Sequence, residues 1–115
     1  MNKTIQHLKK GIIDEGCYTS DDFKKFVRTF RSEFKKEIKK IGGENVEIKG
    51  GHYYLYGFFT FNNQPYYISI SDVRYCKIKN ILIRTVKHYK DFTGGTNRFI
   101  ELKPNLFENV NFNHI

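Results

Sequence analysis

The residues best suited to do chemistry in this chain are cations. Arg74, Lys77, Lys79, Arg84, Lys87 and Lys90 follow one another with His88 among them, and no acid interrupts them between Asp72 and Asp91. Side chains at that density suit a phosphate backbone, arginine gripping two oxygens and lysine acting as a point charge. A second set, Lys24, Lys25, Arg28, Arg31, Lys35 and Lys39, recurs at near-helical spacing. A solvated helix face is the plain explanation of that set; a groove shared with the first stretch is the functional one.

Aromatic rings form the next feature. Tyr54, Tyr56, Phe58 and Tyr67 fall on one side of an alternating strand pattern. Uncovered rings bordered by Arg and Lys hold single-stranded nucleic acid by stacking on its bases, and they also make hot spots in protein interfaces. Covered by a terminal segment, they would form a second core layer instead. The loop after Asp91 carries Thr93, Gly94, Gly95, Thr96 and Asn97 before Arg98. Adjacent glycines let successive N–H groups converge on an anion, with Thr, Asn and Arg as further donors. The Lys-Ser/Thr that follows the glycines of a P-loop is missing, and a hairpin turn explains Gly-Gly-Thr-Asn equally well.

Catalytic designs find little footing. His7, His52, His88 and His114 are scattered, none in an i, i+4 pair and none beside Cys17 or Cys76. No C-x-x-C occurs, and no serine sits in a nucleophile elbow. His88, with Arg84, Lys87 and Tyr89, could cut RNA by acid-base chemistry, which makes a small nuclease the third reading. No catalytic residue, metal or cofactor is expected.

Composition sets the frame for these groups. The chain has 115 residues, enough for one domain, with 39% hydrophobic and 17% aromatic residues. Eleven Phe and eight Tyr can build a core around few aliphatic side chains. Lys and Arg number 20 against 12 acids, a net charge of +8. Such a molecule attracts nucleic acid, nucleoprotein complexes or acidic protein surfaces, although AT-rich codon usage also accumulates Lys and Asn. The first ten residues hold no apolar run for a signal peptide, and no window approaches the ~18 apolar residues of a membrane span. A cytoplasmic location in a bacterial cell, with both thiols reduced, is the expectation.

The elements that must position these groups read in order. Residues 3–13 place Ile5, Leu8, Ile12 and Ile13 near helical spacing, before a turn at Asp14-Glu15-Gly16. Phe23, Phe26, Val27, Phe30, Phe34, Ile38 and Ile41 then mark one apolar stripe of a long helix, about 20–41. Thr19 or Ser20 caps it, Asp21 and Asp22 complement its dipole, and Gly42-Gly43 stops it. The period then changes to two. Strands are expected over 46–49, 52–61, 66–72, 80–89 and 98–102.

A four-residue loop, Asn62 to Pro65, would join the second and third strands. It sets Phe61 opposite Tyr66, Phe59 opposite Ile68 and Gly57 opposite Ile70 on an apolar side. Thr60 with Tyr67, Phe58 with Ser69 and Tyr56 with Ser71 make the mixed side. The fold expected is α+β: N-terminal helices, then an antiparallel sheet of three to five strands with the long helix on one face.

One stretch looks familiar. The centre Gly57-Phe58-Phe59, then Ser71-Asp72-Val73-Arg74, Arg84-Thr85 and Lys90-Asp91-Phe92-Thr93-Gly94-Gly95-Thr96-Asn97 resemble small accessory proteins of phages, plasmids and conjugative elements of low-GC bacteria. The resemblance spans less than half of the chain and transfers no active-site residue. It implies a mobile-element protein that handles nucleic acid, or one that inhibits a host defence such as restriction or CRISPR. Many such inhibitors mimic DNA, but the net charge here has the wrong sign. The expected function is non-enzymatic binding of nucleic acid or a nucleoprotein complex through the basic, Tyr-rich surface, with a protein-directed inhibitor as the alternative.

Overall fold

The computed structural model describes residues 1–10, 20–73 and 80–115. Helices α1 (Asn2–Lys10) and α2 (Asp21–Lys40) precede strands β1 (Glu44–Gly50), β2 (Leu55–Phe61), β3 (Gln64–Ile70), β4 (Asn80–Thr85) and β5 (Arg98–Glu101). The five strands form one antiparallel meander in the order β1-β2-β3-β4-β5. The fold is therefore α+β, with the long helix and the sheet in the expected places. Residues 11–13, the turn 14–16, Thr19, Arg74, Lys77, Lys79 and both cysteines lie outside the described residues.

Local chemistry sets the ends of α2. Ser20 accepts a hydrogen bond from the Phe23 N–H at 3.1 Å, and Asp21 and Asp22 occupy the first turn. At the other end, the Gly43 N–H donates to the Ile38 carbonyl and the Gly42 N–H to that of Lys39. This is the Schellman pattern, and Gly42 takes the left-handed conformation it requires, φ 83°. Between the caps, Phe23, Phe26, Val27, Phe30, Phe34 and Ile38 are buried against the sheet. Phe34 stacks on Phe30, with centroids 5.4 Å apart, and meets Phe59 of β2 edge-on.

The hairpin register differs from expectation. Asn62 and Asn63 both adopt positive φ, 50° and 62°, so they form a two-residue turn rather than the first half of a four-residue loop. Phe61 pairs with Gln64, Phe59 with Tyr66, Phe58 with Tyr67 and Tyr56 with Ser69. The slip is two residues, and because side chains alternate with period two every residue keeps its expected face. Strand ends move for similar local reasons. Leu55 rather than His52 opens β2, because Tyr53 has φ 67° and the Gly51 N–H closes a turn on the Tyr54 carbonyl. Strand β1 runs longer than 46–49 and carries a bulge between Glu44 and Glu47. Strand β4 ends at Thr85 rather than at Tyr89.

Candidate nucleic-acid interface

After β4 the chain leaves the sheet and returns over its second face. Val86 bridges Gly94 at the base of this strap, and the Gly95 N–H donates to the Thr85 carbonyl at 2.8 Å. The glycines permit that approach: a Cβ on Gly94 would stand 2.1 Å from the Thr85 carbonyl oxygen. Phe92 lies against Tyr56, Phe58 and Tyr67, at centroid distances of 6.0, 5.5 and 5.7 Å. The tip reaches the far edge of the sheet, where the Tyr89 hydroxyl donates to the Asn45 carbonyl and Lys90 pairs with Glu47 at 3.0 Å. The rings expected on an open face are thus partly covered, by an internal segment rather than a terminal one. Phe58 is buried, Tyr56 and Tyr67 are half-buried, and Tyr54 stays exposed.

The strap also decides what its polar groups are free to do. Arg84 sits over the Tyr67 ring, 4.4 Å from its centroid, and donates to the Asn97 side chain and the Phe92 carbonyl. Its guanidinium holds the strap down. The Thr93 N–H and hydroxyl both donate to Asp91, whose carboxyl these bonds hold below its ordinary value. With Thr93 and Gly95 so engaged, two of the N–H donors offered to an anion are already used, and Thr96 and Asn97 remain exposed beside them. Hydrogen bonding by Lys90 depresses the carboxyl of Glu47 and raises the ammonium in return, so Lys90 is neutralised locally. Lys87 and His88 are exposed on the strap. Arg98 pairs across from Ile83, on the α2 side of the sheet, opposite to the side that carries Arg84. Among the described residues, Arg84 and Arg98 therefore do not converge.

On α2 the charges are sorted by side. At about 100° per residue, Lys24, Arg28, Arg31, Lys35 and Lys39 fall within an arc of about 80°. Both acids beyond the first turn, Glu33 and Glu37, lie on the opposite flank and are committed to the fold. Glu33 accepts from the N–H groups of Lys3 and Thr4 and from the Thr4 hydroxyl, capping the start of α1. Burial pushes its carboxyl up, but these bonds outweigh it and leave the group below its ordinary value. Glu37 is buried, takes the Leu106 N–H at 2.7 Å and pairs with Lys40. Lys24, Arg28, Lys35 and Lys39 are exposed and make no ion pair among the described residues.

This cationic arc adjoins the sheet edge. Arg31 donates to the Ile48 carbonyl of β1 at 3.0 Å. Lys24, Arg28 and Arg31 rim a shallow cavity of about 280 Å³ floored by Phe23, Val27 and Gly50. From Gly50 the surface turns through Gly51 to Tyr54, Tyr56 and Phe92, with Lys49 exposed alongside. Arg28 also borders the hollow between the helices, with Lys3 and Lys36. Burial first, then Lys25 and Lys10, hold His7 in that region below its ordinary pKa. Five of the residues singled out from sequence, Tyr54, Tyr56, Tyr67, Arg84 and Lys90, share the strapped face. Lys49 and Phe92 were missed there, and Tyr89 was named only beside His88; strand alternation for Lys49 and aromatic character for the other two were the available signal. Compared with known proteins, the chain matches no family model, no curated protein and no solved structure.

Proposed function

We propose that this protein is a nucleic-acid-binding module whose main contact is the outer arc of α2, continued over the β1 edge toward Tyr54 and Tyr56. One observation carries the reading: from Lys24 to Lys39 the arc holds cations only, because Glu33 and Glu37 are both turned into the fold. Phosphate contacts of this kind position a partner without reading its sequence. Arg28 can grip two phosphate oxygens, and the lysines add point charges. Exposed Tyr54 next to the arc offers a ring to an unpaired base. On this reading, a mobile-element accessory protein would dock on a nucleic acid directly, or on one exposed within a host nucleoprotein complex.

The test is fluorescence anisotropy with labelled single- and double-stranded DNA and RNA. Binding is expected at about 20 mM salt and should weaken steeply as salt rises, as counterion release requires. Absence of binding to all four probes at the lowest salt refutes the proposal.

A further inference from the structure

The β5 edge of the sheet, opposite to β1, carries a separate surface. The Val86 N–H donates to the Pro65 carbonyl, so even-numbered residues of β4 turn their backbone groups toward β3 and odd-numbered ones toward β5. The Gly95-to-Thr85 bond agrees with that phase. Ile81 and Ile83 therefore share the ladder bonds with their partners Ile100 and Arg98. Phe99 and Glu101, opposite Leu82 and Asn80, turn their N–H and C=O groups outward. Among the described residues no hydrogen bond reaches those groups.

Edge strands are usually blunted by shortness, charged side chains, a proline, a bulge or a covering segment. Strand β1 shows such protection, since it is bulged and Arg31 occupies its Ile48 carbonyl. Strand β5 is four residues long and ends on the exposed charges Arg98 and Glu101, but it has neither bulge nor proline, and its Phe99 is 65% exposed. A groove of about 490 Å³ runs beside it, walled by Glu108, Asn109 and Val110 of the C-terminal segment.

We propose that β5 accepts an extended, acidic peptide segment of a partner protein as a sixth strand. The unpaired groups of Phe99 and Glu101 alternate with the period of a strand and are complemented by the backbone of another extended chain. A peptide residue opposite Phe99 shares its face and should be apolar. Arg98 and Lys103 line the groove, but so do Glu101 and Glu108, so the whole-molecule charge of +8 makes the selection for acidic sequences. A second copy of this chain fits less well. Two molecules of charge +8 repel each other, which an acidic segment does not.

The test uses nuclease-treated full-length protein and a displayed library of random dodecapeptides. Enriched peptides should alternate apolar with other residues, carry net negative charge, and slow amide exchange at Phe99 and Glu101. Glu101→Pro removes an outward N–H without touching the ladder and should weaken such a peptide about tenfold or more. Phe99→Lys, at an exposed position, should weaken it as well and guards against misfolding of the proline variant. Three results overturn the proposal: no enrichment of such peptides, equal binding by both variants, or protection of these amides that grows with protein concentration alone. The last would place a second copy on the edge. Nucleic-acid binding by α2 is measured on a different surface and survives any of these failures.

Discussion

Deleting charge from the outer arc of α2 should change the salt dependence of nucleic-acid binding by a calculable amount. Lys24 and Lys39 are separated by fifteen residues, or about 22 Å along a helix, and the arc presents Lys24, Arg28, Arg31, Lys35 and Lys39 over that distance. If each neutralises about one phosphate, log K falls with log salt at a slope of about −4.5 on duplex and about −3.5 on a single strand. On duplex, raising salt from about 50 to about 200 mM then costs roughly 500-fold in affinity.

Arg28→Gln with Lys35→Gln leaves three cations, a slope of about −2.7 and a loss of roughly 40-fold over the same interval. Both positions are exposed and without ion pairs among the described residues, and Gln is a comparable helix former, so thermal stability should hardly change. The control is Lys87→Gln with Lys90→Gln on the strap, which should leave the slope near its original value. Anisotropy titrations at four or five salt concentrations decide it. An unaltered slope in the α2 variant, or a loss confined to the strap variant, refutes the assignment.

Acid should loosen α1 from α2, because the depressed carboxyl of Glu33 contributes stability above its ordinary value of 4.5 that disappears as pH falls through the folded value. Protection of the Lys3 and Thr4 amides, their exchange taken relative to the intrinsic rate at each pH, should fall over that range, and Glu33→Gln should flatten the response. Arg84→Ala removes two hydrogen bonds and the stacking on Tyr67; urea unfolding should show a loss of about 1–3 kcal/mol, with increased dye binding as Phe58 is uncovered. Phe34→Ala should cost about 3–5 kcal/mol in the same assay, since the ring is fully buried among Phe30, Phe59 and Phe107. A cost below about 1 kcal/mol would contradict that packing.

What could be read from the chain alone was whatever depends on near neighbours. Helix α2 announces itself because its cap, stripe and Schellman glycines all lie within one continuous segment. The faces of β2 and β3 were legible because alternation survives a two-residue slip; the register was not, since Asn-Asn closes a two-residue turn while Gln64 and Pro65 also look like loop residues. The strap stayed hidden for a different reason. Residues 80–89 read as one strand, and only Gly94 against Thr85, with Tyr89 against Asn45, reveals that the chain folds back. The cations of the arc were legible from their helical spacing, but the fate of the neighbouring acids was not: Glu33 and Glu37 look like ordinary surface acids until Thr4 and Leu106 are placed beside them.

An abundance of lysine from codon bias would scatter cations among acids, and exposed helices ordinarily gain from i, i+4 pairs of opposite sign. The arc does the reverse. Lys24 with Arg28, Arg31 with Lys35 and Lys35 with Lys39 are like-charge neighbours at i, i+4, and Arg28 with Arg31 adds another at i, i+3. At about 0.2–0.5 kcal/mol each, the free protein carries roughly 1–2 kcal/mol of repulsion that a bound polyanion would relieve. Lys35→Glu should therefore act with opposite signs on two measurements. It turns two repulsive neighbours into attractive ones and should stabilise the free protein by about 1 kcal/mol at low salt, while weakening nucleic-acid binding more than Lys35→Gln does. Thermal melts and anisotropy on the same preparations separate the alternatives. A variant that melts higher and still binds as the parent does would mean that the lysines are there by composition alone.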